Sequence, residues 1–118
     1  MKKLYYLSTC STCTRIINEL GELLTDFEKQ DIKTKQMTLD QVDQMKELSG
    51  SYESLFSRKA MKYRSLGLGE KTLTEKDYRT LIQEEYTFLK RPVFIVNDQI
   101  FIGNSKKVIE SLRLHLSA

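Results

Sequence analysis

Lys3-Leu4-Tyr5-Tyr6-Leu7-Ser8-Thr9-Cys10-Ser11-Thr12-Cys13 joins an apolar strand candidate, a polar turn and both cysteines of the chain. Lys3 to Leu7 reads as a buried strand, ended at Ser8-Thr9. From Cys10 the apolar spacing becomes helical, with Ile16, Ile17, Leu20, Leu23, Leu24 and Phe27 on one face. A thiol opening a helix meets unpaired backbone N–H groups and the positive end of the macrodipole. Both favour thiolate, the nucleophilic form. Cys10 is therefore the expected nucleophile, with the Ser11 and Thr12 backbone supplying donors. Cys13, one turn deeper, is the expected resolving thiol, and the oxidised product is a Cys10–Cys13 disulfide.

Working outward, Ile32 to Met37 alternates well enough for a second strand, parallel to the first because a helix joins them. Thr38 with Gln41, and Thr74 with Asp77, each fit a capping box that opens a helix. Short helical turns are expected between Ser51 and Leu68. Val93–Val96 and Gln99–Ile102, separated by Asn97-Asp98, read as an antiparallel hairpin. A last helix follows Gly103-Asn104, burying Val108, Ile109, Leu112 and Leu116. The order β-α-β, helices, β-β-α predicts an α/β, thioredoxin-like (glutaredoxin-like) mixed sheet. Its helical insert, at about 39–90, falls between the second and third strands, and residues 1–118 are expected to form a single domain.

Composition bounds the function. At 118 residues and 40% hydrophobic, one ordinary core is expected, and no apolar run approaches a bilayer span. The net charge of +3 permits an anionic substrate without requiring nucleic acid. Two closely spaced cysteines are too few for a secreted disulfide framework, and Met1-Lys2-Lys3 leads directly into a strand. A cytoplasmic, monomeric protein without membrane contact is the expectation. Zinc would need further ligands, and the only histidine, His115, falls in the last helix, where a partly buried structural role is expected. Neither a metal nor a tightly bound cofactor is expected.

Pro92, the only proline, stands directly before a core strand. An X-Pro bond adopts the cis form at a cost of only ~0.5–1 kcal/mol. A cis turn there would set the docking edge for a thiol substrate, whereas a trans proline would merely end the preceding helix. Arg91 precedes it, and Arg58 lies in Phe56-Ser57-Arg58-Lys59. Guanidinium forks suit oxyanions, and their fixed charge favours a nearby thiolate. Lys59, Lys62, Arg64 and Lys90 read as a solvated face.

Taken together, the chain resembles the arsenate reductase (ArsC) and Spx family of thioredoxin-like proteins. The resemblance rests on the strand entering Cys10-Ser11-Thr12-Cys13, on Ser57-Arg58-Lys59, on Phe88 to Val96, and on Ile100-Phe101-Ile102-Gly103-Asn104. It implies that Cys10 attacks arsenate or a disulfide and that Arg58 and Arg91 hold the anion. The implied reductant is glutathione with glutaredoxin, or thioredoxin. In the Spx branch the cysteine pair is a redox switch and the partner is RNA polymerase. The chain departs from the reductase pattern in three places, one being that the basic residue expected straight after Cys13 is Thr14, with Arg15 one place later. Gln99 to Asn104 lacks the family's third arginine, and Cys13 is an added second cysteine.

Overall fold

The computed structural model describes residues 1–117 and divides into two compact units. The first comprises Met1–Lys35 together with the chain from Arg91 onward; the second is Gln36–Lys90.

In the first unit, β1 (Lys2–Tyr6), β2 (Glu28–Asp31), β3 (Val93–Val96) and β4 (Gln99–Ile102) form one sheet in the order β2-β1-β3-β4. β1 runs parallel to β2 and antiparallel to β3, and β3 pairs antiparallel with β4. Alternation along β1 and β3 sends Leu4, Phe94 and Val96 into one cluster. Ile16 and Leu20 of α1 (Ser11–Leu20) complete it, with Leu24 and Phe27 beyond that helix and Ile109 and Leu112 of the C-terminal helix (Lys106–Ser117). Phe27 meets Phe94 edge to face, with ring centroids 6.1 Å apart. Each such side chain contributes about 1.5–3 kcal/mol by leaving water, which is ample reason for α1 to lie against the sheet. Asn97 adopts φ 57°, as the tight β3–β4 turn requires.

Two sequence expectations are corrected here. The second strand is Glu28–Asp31, four positions earlier than Ile32 to Met37. β2 is an edge strand, so Glu28 and Lys29 remain exposed and its hydrophobic alternation is lost. The Ile32 N–H still reaches Tyr6 O at 2.9 Å, after which the chain turns. His115 is exposed rather than partly buried, its ring 5.7 Å from that of Phe101. Ile109 and Leu112 alone fill the buried stripe of that helix.

In the second unit, α2 (Leu39–Ser49) and α4 (Glu75–Glu84) flank short turns that include α3 (Met61–Ser65), so the C-terminal helix is α5. Both anticipated capping boxes are present, at Thr38/Gln41 and Thr74/Asp77. Phe56 centres a separate aromatic cluster, 4.9 Å from Tyr78 and 5.0 Å from Phe88. Arg79 grips Asp43 with two bonds of 2.7 and 3.0 Å, and the Tyr52 hydroxyl donates to the same carboxylate at 2.6 Å. Among the described residues no helix is long and apolar enough to cross a membrane.

Candidate functional site

Cys10 is the N-cap of α1, with extended backbone at φ −93° and ψ 111°. Its N–H donates to Leu7 O at 3.0 Å, closing the turn after β1, and its carbonyl accepts the first helical bond from Thr14 N at 3.1 Å. Cys10 therefore has one foot in the strand–helix turn and one in the helix. Asp31 Oδ1 accepts from the Ser8 N–H at 3.4 Å and the Lys33 N–H at 3.1 Å, linking the end of β2 to that turn. Sequence reading did not single out Asp31, because its partner Ser8 is distant along the chain and becomes a neighbour only through β1–β2 pairing.

Cys13, one turn on, is completely buried, whereas Cys10 is half-buried, and both are free thiols. The two sulfurs are chemically unequal. Partial burial is the largest influence on Cys10 and opposes ionisation. It is outweighed by the Cys13 backbone N–H, the Cys13 thiol, the Arg91 charge and the Thr12 N–H, so the Cys10 pKa falls below its ordinary 9.0. For Cys13 burial dominates, reinforced by the thiolate character of Cys10, and its pKa rises to about 11. Backbone interaction at Leu7 and the charge of Arg91 oppose that rise without cancelling it.

Pro92 is buried, its bond to Arg91 is cis, and its carbonyl accepts the Gly103 N–H at 2.9 Å. Arg91 and Pro92 thus share the first unit with Cys10, Ser11, Thr12 and Cys13, and the influence of Arg91 on both sulfurs places its charge at the thiol pair. Arg58 belongs to the second unit. There its Nη2 donates to Glu53 Oε2 at 2.7 Å and to the Tyr78 hydroxyl at 3.0 Å.

A shallow groove of about 740 Å³ opens beside Cys10, lined by residues of the β1–α1 turn and of α1. Ser8, Thr9, Ser11 and Thr14 contribute hydroxyls to it, and Arg15 and Glu19 contribute its charges. The sequence signal for this groove was weak, since a polar exposed stripe is what any amphipathic helix displays. Among the described residues no three His, Cys, Asp or Glu side chains gather into a metal-holding group.

The ArsC family model matches residues 5–112. The chain belongs to the ArsC family. Among curated relatives, it is 25% identical over 108 residues to the global transcriptional regulator Spx 2 of Bacillus cereus, covering 90% of this chain and 82% of that protein. It is 22% identical over 110 residues to the global transcriptional regulator Spx of Staphylococcus aureus, covering 92% and 84% respectively. Among solved structures, a possible arsenate reductase from Streptococcus mutans UA159 superposes with a TM-score of 0.76 at 28% identity, covering 95% of this chain and 97% of that one. The ArsC fold therefore runs through nearly the whole chain, with the β4 segment Gln99–Ile102 carrying no arginine.

Proposed function

We propose that this ArsC-family protein is a thiol-dependent oxidoreductase in which Cys10 attacks and Cys13 resolves. The observation that carries this reading is the inequality of two hydrogen-bonded sulfurs. Cys10 is biased toward thiolate, while Cys13 stays protonated until its partner has been modified. The Cys10 thiolate attacks one sulfur of a disulfide substrate, forming a mixed disulfide and releasing the other half as a thiolate. Cys13 loses its proton, attacks Cys10 Sγ and expels the remaining half, leaving a Cys10–Cys13 disulfide. Two electrons have then passed from the protein to the substrate.

With arsenate, Cys10 displaces an oxygen ligand to form a sulfur–arsenic bond. Attack by Cys13 on the Cys10 sulfur returns that bonding pair to arsenic, reducing it from the pentavalent to the trivalent state. Arg91 would hold such an anion, and Pro92 would shape the edge on which an extended thiol substrate docks. Glutathione with glutaredoxin, or thioredoxin, would return the two electrons in a reducing cytoplasm.

The reading is tested by assaying purified protein for arsenate- and disulfide-dependent turnover with a thiol reductant. Cys10→Ser should abolish turnover and Cys13→Ser should stall it at a mixed adduct. Turnover unaltered by Cys10→Ser removes the proposal.

A second reading is a redox-sensing regulator that binds RNA polymerase. It is favoured by the similarity to proteins named as Spx regulators, which extends over 82–84% of their lengths. Retention of polymerase by the immobilised protein in one redox state, without turnover, would select this reading. No retention in either state would discard it.

A further inference from the structure

β1 ends at Tyr6 and α1 begins at Ser11, so the turn Leu7-Ser8-Thr9-Cys10 sets where the Cys10 sulfur sits. The Cys10 N–H closes that turn on Leu7 O, and the N–H of Ser8, its second residue, lies outside the turn's own hydrogen bond. The end of β2 meets it there. Asp31 pairs with Tyr6 in the ladder, the Ile32 N–H reaches Tyr6 O at 2.9 Å, and the Asp31 carbonyl accepts the Lys35 N–H at 2.9 Å. From that fixed base the Asp31 carboxylate accepts the Ser8 N–H at 3.4 Å and the Lys33 N–H at 3.1 Å. Slight burial is the largest influence on Asp31 and opposes ionisation, but the Ser8 hydroxyl, the Lys33 and Ser8 N–H groups and the Lys33 charge outweigh it. Its pKa falls below the ordinary 3.8, so it is ionised throughout the neutral range. By charge alone such a group disfavours a nearby thiolate, so any support it gives Cys10 comes through position.

We infer that Asp31 is a positioning residue for Cys10, pinning Ser8 so that the β1–α1 turn holds the sulfur at the Thr12 and Cys13 N–H groups. This rests on Cys10 being the attacking thiol, and it adds the residue that keeps the sulfur in place. Those N–H groups favour the thiolate only within hydrogen-bond reach, and such bonds weaken steeply when misaligned. The turn contains no proline, and Ser8 and Thr9 are exposed, so packing does little to fix its middle. A carboxylate on the neighbouring strand supplies the hold that the turn itself lacks. The remaining groups that favour the Cys10 thiolate, the Cys13 thiol and the Arg91 charge, come from α1 and from the residue pair that opens β3, and they stay in place when Asp31 is replaced.

The test uses the full-length reduced protein, with iodoacetamide labelling of Cys10 followed across pH and folding checked by circular dichroism. Asp31→Ala should raise the Cys10 midpoint by about half a pH unit, roughly a threefold loss of thiolate at neutral pH. Asp31→Asn retains an acceptor for the Ser8 N–H and should leave the midpoint at its native value. General destabilisation would move the urea midpoint but not the titration of Cys10 in the folded protein, so an unshifted Asp31→Ala midpoint would overturn the inference. An Asp31→Asn midpoint as high as that of Asp31→Ala would do the same, because the acceptor would then not be what matters. A lower midpoint in either variant would mean that Asp31 acts by its charge, which also sinks the positioning role. In the native protein the Ser8 amide proton should shift as Asp31 titrates, with a midpoint below 3.8. A Ser8 amide that stays flat through that range decides against the inference even if Asp31→Ala does not fold. A native Cys10 midpoint at or above 9.0 would remove the nucleophilic role of Cys10 as well, whereas a native midpoint below it with unshifted variants removes the role of Asp31 alone.

Discussion

Selective alkylation of the two cysteines offers the sharpest examination of the site. A thiol with pKa 9.0 is about 9% thiolate at about pH 8, and one near 11 is about 0.1%. Cys10 lies below the first value and Cys13 sits at the second, so ionisation alone favours Cys10 by at least about ninetyfold. The more basic thiolate is intrinsically the better nucleophile, which returns about eightfold to Cys13 across two pH units. The net preference for Cys10 is therefore about tenfold or more, before the complete burial of Cys13 slows it further. Pulsed iodoacetamide labelling across a pH series, read by peptide mass spectrometry, gives both midpoints directly. Cys13→Ala sharpens the test by removing the thiol donor to Cys10 while leaving the Cys13 and Thr12 N–H groups and the Arg91 charge in place. A hydrogen bond to a charged group is worth ~1.5–3 kcal/mol, and the half-buried position of Cys10 argues for the low end. The Cys10 midpoint should rise by about one pH unit. Equal labelling of the two native thiols, or a native Cys10 midpoint at or above 9.0, would refute this account of the site.

Two further outcomes concern the insert. Thr38→Ala or Thr74→Ala should each lower stability by about 1 kcal/mol in urea unfolding, since each removes the side-chain half of a complete capping box; a midpoint unchanged within error would contradict the capping role. Asp43, held at a pKa of about 2 by Arg79 and then Tyr52, has its folded value depressed below the ordinary 3.8. The stability it adds is present above 3.8 and lost as pH falls through about 2, so Asp43→Asn should flatten the pH dependence of the urea midpoint in that window, and an unchanged slope would count against the clamp.

The N-terminal stretch and the hairpin were legible because their signals are local. Cys10 at a helix opening, Asn97 at the tight turn and the Thr38 and Thr74 caps each depend on residues within a few positions of one another. β2 was misplaced because an edge strand with exposed Glu28 and Lys29 shows no apolar alternation, while the looser run Ile32 to Met37 imitates one. Its register is set by ladder bonds to β1, which periodicity does not report. His115 was misjudged for a related reason. Helical spacing beyond Leu112 suggested an inward face, but Ile109 and Leu112 already occupy the space beneath α5.

The sequence by itself determined which sulfur opens the helix and which lies deeper, because strand, polar turn and helix place Cys10 on the first backbone donors and Cys13 a turn further on, all within eleven residues. It also determined that the chain would fold around a mixed sheet. Only the tertiary structure decided how unequal the two thiols become. The burial that raises Cys13 and the charge of Arg91 come from distant parts of the chain. Desolvation and Coulomb effects depend on distance in space, and sheet pairing sets that distance where chain spacing does not.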